Sequence, residues 1–95
     1  MITKLVEVHG DTLSRARTYS LREVYVNPDH VVAMRPDNRM VNMLKEGYLP
    51  DELDERQRFT TIHMDRGHSG IDITVVGDVE LIREKLFNSK RLLKG

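Results

Sequence analysis

The sequence contains no cysteine and no tryptophan, and its aromatic residues are limited to three tyrosines and two phenylalanines. The absence of cysteine excludes disulfide bridges, thiolate catalysis and cysteine metal sites, and it is consistent with a reducing cytoplasm. The chain has no net charge, with 15 basic and 15 acidic side chains, so overall charge gives no reason to expect a nucleic-acid or membrane partner. No apolar run approaches the ~20 residues of a membrane span, and the N-terminal residues lack the apolar core of a secretory leader. We therefore expect a cytoplasmic protein without membrane insertion.

The 95 residues suffice for a single domain, 1–95, with one modest core. The stretch from Phe59 to Phe87 organises this domain. Apolar and polar residues alternate on both sides of a glycine-containing turn at 66–70, which predicts a β-hairpin. The apolar spacing becomes helical after Asp78, a good N-cap, and we expect this helix to run to about Leu93. The hairpin and the helix each have one apolar side, so they are expected to pack on each other.

Three more strands are predicted before this unit, at residues 2–8, 19–26 and 31–34. Asn27 and Pro28 predict the turn between the last two, because the Asn27 side chain can bond its own backbone two residues on. Short connections favour antiparallel pairing. The prediction is an α+β domain with a small, mostly antiparallel five-stranded sheet in meander order. A C-terminal helix packs on one face, and a short helical insertion separates two strands.

The insertion comprises residues 38–57. Asn38 can cap a short helix there, and Gly47 can stop it. From residue 46 to residue 57 there are five acids and one base. Long insertions in compact domains are usually functional or disordered, so we expect this one to bind a partner protein and to be removable without loss of the fold. The predicted partner-binding residues are Tyr48, Leu49 and Leu53 as exposed anchors, Asp51 and Glu52 beside them, and Arg35 and Arg58 at adjacent strand ends.

Basic residues offer an alternative function. Arg15, Arg17 and Arg22 cluster towards the N-terminus, and Lys90 and Arg91 lie in a basic helix end at 88–95. If these side chains converge, they form a patch that binds nucleic acid. The other interpretation is solubility and ion pairs with the acidic insertion, and it is favoured because the aromatic residues do not repeat the interleaved pattern of an RNA-binding sheet. The basic end and the insertion could also meet each other, within one chain or between two copies, and the wide apolar face of the helix is consistent with a homo-oligomer.

His63, Asp65 and His68 have the spacing His-x-Asp-x-x-His. His63 and Asp65 share a strand face, and the following turn can fold His68 back over them, which makes the three residues candidate ligands of zinc or another divalent ion. The favoured interpretation is a polar outer face with ordinary turn residues, since a fourth ligand is lacking, so we expect no metal site here. There is no Gly-x-Ser-x-Gly motif and no phosphate-binding glycine loop, and although Ser69 stands next to His68, neighbouring residues of a turn point apart more often than together. An enzyme with a site around His63 and His68 is therefore the least favoured alternative, and we expect neither enzymatic activity nor a cofactor.

The run from Val24 to Met34, which contains Asn27 and Pro28, resembles the strand, Asn-Pro turn and strand of the small flagellar and swarming-motility protein family (FlbD-like). Residues 60–67, 71–75 and 79–82 are similar to its hairpin and closing helix, so the similarity covers residues 20–34 and 59–87. Family members lack the insertion and the basic tail. The resemblance implies a small, non-enzymatic bacterial regulator that acts through protein contacts, with motility as one setting. A phage- or plasmid-encoded inhibitor of a host protein is an open alternative.

Overall fold

A computed structural model describes residues 2–10, 19–65, 67 and 69–88 of the chain. The described residues form five strands and two α-helices, which confirms the prediction of a five-stranded antiparallel sheet with helices. The elements are β1 (Thr3–Gly10), β2 (Tyr19–Val26), a 3₁₀ turn (Pro28–His30), β3 (Val31–Pro36), α1 (Asn38–Lys45), β4 (Phe59–Asp65), β5 (Gly70–Val76), α2 (Val79–Arg83) and a π-helical continuation (Glu84–Asn88). The helix predicted to reach Leu93 and to pack on one face stays a prediction, because residues 89–95 lie outside this set. No helix in the described part of the chain has the length and hydropathy to cross a membrane.

The strand order is β2-β1-β5-β4-β3, and every neighbouring pair is antiparallel. The predicted meander order is therefore wrong, because β1 lies inside the sheet and pairs with β5 where Glu7 is opposite Val75. β2 and β3 lie at opposite ends of the sheet, although only residues 27–30 connect them. A flat sheet would place these two strands four strand spacings apart, or ~19 Å. The connection is too short for that distance, because it includes a 3₁₀ turn that rises only ~2 Å per residue. The sheet must curl, and Val26 at the end of β2 is accordingly buried in one cluster with Ile62 of β4.

Two predicted local signals are confirmed by hydrogen bonds. The Asn27 side chain accepts a hydrogen bond from the Asp29 N–H at 3.0 Å and so starts the 3₁₀ turn. The Asp78 side chain accepts one from the Leu81 N–H at 2.8 Å and so caps α2. Both bonds join residues two or three positions apart, which is why the sequence alone indicates them.

Two buried clusters lie on opposite faces of the sheet, because successive side chains along a strand point to opposite sides. On β5, for example, Val75 belongs to one cluster and Val76 packs against the other. The first cluster consists of Leu5, Val26, Ile62, Val75, Ile82 and Leu86. The second cluster consists of Val8, Met40, Leu49 and Phe59. Residues 38–57 contribute half of the second cluster, so the burial of Met40 and Leu49 counts against the expectation that the insertion can be removed without loss of the fold.

The junction between β5 and α2 is shaped by one glycine and one buried hydroxyl. Gly77 has a φ of 125°, and a side chain there would bring its Cβ within 3.0 Å of Ile82. The buried hydroxyl of Thr60 donates to the Gly77 carbonyl at 2.9 Å, which satisfies both groups. This junction places the start of α2 beside the start of β4, next to the end of β3.

Candidate functional site

The helical part of the insertion ends in a Schellman motif. The Gly47 N–H donates to the Leu44 carbonyl at 3.1 Å, and the Tyr48 N–H donates to the Met43 carbonyl at 3.1 Å. Gly47 has a φ of 84°, in the left-handed region that glycine occupies without steric cost. The prediction that Gly47 ends this helix is confirmed, and the motif fixes the direction in which the acidic segment leaves α1.

The acidic segment that follows is folded into two successive turns. The Leu53 N–H donates to the Pro50 carbonyl at 3.2 Å, and the Gln57 N–H donates to the Asp54 carbonyl at 3.0 Å. The Asp54 carboxylate accepts a hydrogen bond from the Arg56 main-chain N–H at 2.8 Å and others from the Arg56 side chain. These hydrogen bonds lower the pKa of Asp54. The segment therefore has a defined backbone path although it contains no helix or strand.

The predicted anchors of the insertion differ in exposure. Leu49 is only 5% exposed and belongs to the second cluster, so the expectation that it is exposed is wrong. Its neighbour Tyr48 is 40% exposed. Leu53 is half-buried against the second cluster, whereas Asp51 and Glu52 are exposed. We call the exposed residues Tyr48, Asp51 and Glu52 of the insertion the acidic surface.

The insertion is joined to the sheet by Asp37, which is the N-cap of α1 in place of the predicted Asn38. One carboxylate oxygen accepts from the Met40 N–H at 2.9 Å. The other oxygen accepts from the hydroxyls of Thr61 at 2.9 Å and Thr74 at 3.0 Å, which lie opposite each other on β4 and β5. Partial burial disfavours the ionised carboxylate, but these three hydrogen bonds outweigh it and lower the pKa of Asp37. A single charged side chain thus binds the start of α1 to two strands.

A cavity of about 320 Å³ lies between the start of α1 and the start of α2, and we call it the inter-helix groove. Its apolar walls are formed by Pro36, Val41, Phe59 and Val79. Its polar rim is formed by Asp37, Asn38, Arg58, Asp78 and Glu80. The Arg58 guanidinium donates to the carbonyls of Arg56 at 3.0 Å and Gln57 at 3.3 Å. Arg35 is exposed near the end of β3, opposite Thr61. The two arginines predicted to bind a partner therefore lie at the same end of the sheet.

Among the predicted nucleic-acid-binding residues, Arg22 falls in the described part of the chain. The other four lie outside it: Arg15, Arg17, Lys90 and Arg91. The Arg22 Nε donates to the Glu7 carboxylate at 2.8 Å, and the Glu7 side chain is only 11% exposed. Because a nearly buried carboxylate requires a partner, a phosphate group would have to compete for Arg22 with this ion pair.

The histidine motif is arranged differently from the predicted metal site. The Nδ1 of His63 lies 2.7 Å from the carboxylate of Asp72. Asp72 is the cross-strand neighbour of His63 on β5, so His63 pairs with this residue and not with the predicted Asp65. A carboxylate only accepts hydrogen bonds, so Nδ1 carries the proton. The His63 Nε2 is buried and has no hydrogen-bond partner among the residues that the structure describes. His68 lies outside the described residues, and within them no group of three or more possible ligands could hold a metal ion.

No family model, curated protein or solved structure matches this chain. The resemblance to the small flagellar and swarming-motility proteins accordingly stays a prediction made from the residues themselves.

Proposed function

We propose that this protein is a non-enzymatic adaptor that binds a partner protein through residues 38–57 and the adjacent strand ends. The observation that carries the proposal is the contrast between two neighbours, Leu49 in the second cluster and Tyr48 at the surface. Leu49 anchors the segment to the sheet, so the acidic surface is held in one shape before a partner arrives. A preformed surface loses less conformational entropy on binding than a loop that must be ordered.

The chemistry of this surface indicates what the partner presents. Tyr48 offers a large ring with a polar end, a combination that is enriched at interfaces. Asp51 and Glu52, which follow it by three and four residues and are also exposed, favour a positively charged partner. Arg35 and Arg58 extend the contact along the sheet end. We infer that the partner surface has an apolar pocket for the Tyr48 ring and basic residues around it.

The wider setting is part of the same proposal. We infer a bacterial or phage protein that acts in the cytoplasm and self-associates, with the C-terminal helix, residues 79–88, covering the first cluster. A regulator of motility and an inhibitor of a host protein would both use such a contact surface. The ion pair between Arg22 and Glu7 gives no support to nucleic-acid binding, which stays a prediction.

Capture of partners from a bacterial host lysate, followed by affinity measurement with the purified partner, tests the acidic surface. We expect Tyr48→Ala to weaken binding by about tenfold or more, the loss typical of a central aromatic anchor. Tyr25→Ala is the matched control, because Tyr25 is 65% exposed and lies at the far end of β2. We expect this control to bind like the unaltered chain. An equal loss in both variants, or none with Tyr48→Ala, would contradict the proposal.

Charge reversal tests the second element of the surface. Asp51→Lys combined with Glu52→Lys should weaken binding and reverse its dependence on salt, because attraction to a basic partner becomes repulsion, which salt screens. Binding of the same partner with unchanged affinity and salt dependence would show that the acids do not take part.

A further inference from the structure

The inter-helix groove is an apolar cavity that faces solvent. Its walls come from the end of β3, from α1 and from the start of α2, so it joins the insertion to the C-terminal part of the chain. A volume of about 320 Å³ is near the lower end of the ~300–1,000 Å³ typical of ligand pockets. The groove therefore suits one or two aliphatic side chains better than a cofactor.

The rim of the groove favours a positively charged occupant. Three carboxylates line it, from Asp37, Asp78 and Glu80, against one guanidinium from Arg58. Arg58 already donates to two main-chain carbonyls of its own segment. Asp78 uses Oδ1 to cap α2, and its Oδ2 accepts no hydrogen bond within the described residues. Glu80 is highly exposed and accepts from Arg83 at 2.9 Å through Oε2, which leaves Oε1 for another cation.

Residues 89–95 of the chain have the composition that this groove requires. They contain three bases and two adjacent leucines, in the order Ser-Lys-Arg-Leu-Leu-Lys-Gly. We propose that the groove receives Leu92 and Leu93 of a second copy, while Lys90 and Arg91 pair with the carboxylates of Glu80 and Asp78. This inference specifies how the self-association in the proposed function occurs and rests on that self-association. It does not depend on partner binding through the acidic surface.

The geometry of α2 indicates that the segment 89–95 in the groove comes from a second copy and not from the same chain. The groove lies at Val79, and nine residues of helical backbone, at ~1.5 Å each, place Asn88 ~14 Å away at the opposite end. Leu92 follows Asn88 by four residues, which span ~14 Å when fully extended. The chain would have to run straight back along its own helix to reach its own groove, whereas a second copy has no such constraint. Reciprocal exchange of the two segments closes a two-fold dimer.

Light scattering of the full chain over a range of concentrations tests the proposal. We expect the mass to rise from that of one chain towards twice that value. Leu92→Ser combined with Leu93→Ser should weaken the dimer by more than about tenfold, because two buried aliphatic contacts are lost. Glu80→Lys should weaken it severalfold, and adding Lys90→Glu to Glu80→Lys should restore it, because the pair is then reversed. Recovery of the dimer in the double variant would show that residues 80 and 90 contact each other, because a general loss of stability would not be reversed by the second substitution.

Competition with a synthetic peptide of residues 89–95 provides a second measurement. The peptide should return the dimer to single chains and shift the amide resonances of Val41 and Val79, whereas a peptide with both leucines changed to serine should do neither. A single-chain mass at high concentration, or failure of the reversed pair to restore the dimer, would overturn the proposal. Tyr48→Ala should dimerise like the unaltered chain, so failure of partner binding and failure of dimerisation are distinguishable.

Discussion

At the scale of single residues, Asp37 connects three elements, α1, β4 and β5, through one carboxylate. Its carboxylate accepts hydrogen bonds from one main-chain N–H of α1 and from two hydroxyls on different strands. Hydrogen bonds to a charged acceptor are stronger than those between neutral groups. The position of the insertion on the sheet, and with it the wall of the inter-helix groove, therefore depends strongly on this one side chain.

Replacing Asp37 should cost more stability than replacing the equivalent cap of α2. Asp37→Ala removes a helix cap and leaves the hydroxyls of Thr61 and Thr74 without their acceptor, for an expected loss of ~2–3 kcal/mol. Asp78→Ala removes only the bond to the Leu81 N–H and should cost ~1 kcal/mol. Urea unfolding of both variants measures the difference. Equal losses would show that the contact of Asp37 with the strands contributes little.

The same carboxylate should make stability depend on pH in the acid range. Its pKa in the folded state is below the ordinary value of 3.8, so the unfolded chain binds the proton more readily. The stability that Asp37 contributes is therefore complete above about pH 5 and is lost as the pH falls through the folded pKa. Urea unfolding of the unaltered chain and Asp37→Asn should give a free-energy difference that is constant near neutral pH and narrows as the pH falls below 3.8. The background from Asp54, whose pKa is also lowered, cancels in this comparison. A difference that does not change with pH would contradict the assigned role.

At the scale of elements, the sequence predicts what short-range chemistry decides. The β4–β5 hairpin, the turn at Asn27, the cap at Asp78 and the helix stop at Gly47 are each specified within a few residues, and all four are present. The choice of Asp37 over Asn38 as cap is not decided locally, because both residues cap well. It is decided by the hydroxyls of β4 and β5, which come close only after the sheet has formed.

The candidate sites show the same limit. His63 and Asp65 share a strand face, but residues i and i+2 along a strand are farther apart than direct cross-strand neighbours, ~4.5–5.5 Å. His63 consequently pairs with Asp72, and that register is not visible in the spacing of the motif. Similarly, Tyr48 and Leu49 are both plausible anchors in the sequence. Only the position of the second cluster decides which of them is buried.

Substitution of Leu49 and of Tyr48 should distinguish the residue that anchors the insertion to the sheet from the residue that contacts a partner. Leu49→Ala should destabilise the protein by ~2–4 kcal/mol, because it leaves a cavity in the second cluster. Tyr48→Ala should cost less than ~1 kcal/mol, since the ring is 40% exposed. Urea unfolding measures the loss in both variants. A small loss with Leu49→Ala would mean that the insertion is not anchored through this residue.

At the scale of the whole molecule, the chain uses both faces of a single sheet. One face carries the cluster that includes Ile82 and Leu86, and the other carries the cluster that includes Met40 and Leu49. A chain of this length has little apolar surface to spare. Because β1 lies between β2 and β5, the two clusters share the same central strands. We infer that the faces stabilise each other through the strands and that the fold is cooperative.

Removal of residues 38–57, closed by a short glycine linker, tests this cooperativity. The deletion would expose Phe59 and Val8, which are 1% and 6% exposed, and uncover half-buried Val76. Each fully exposed apolar side chain costs ~1.5–3 kcal/mol, and loss of the Asp37 contacts adds to this, against a typical net stability of ~5–10 kcal/mol. We therefore expect a chain without cooperative unfolding, with poorly dispersed amide resonances and binding of a hydrophobic dye.

A smaller deletion provides the control for that experiment. Removing only residues 51–56 leaves α1 and the four buried residues of the second cluster in place and takes away one half-buried neighbour, Leu53. This variant should therefore be less stable but keep a dispersed spectrum and a cooperative transition, while it loses the acids of the acidic surface. The pair of deletions thus distinguishes the covering role of the insertion from its contact role. A cooperative, well-dispersed protein after removal of residues 38–57 would mean that the first cluster alone maintains the sheet, and Phe59 would then have to find another cover.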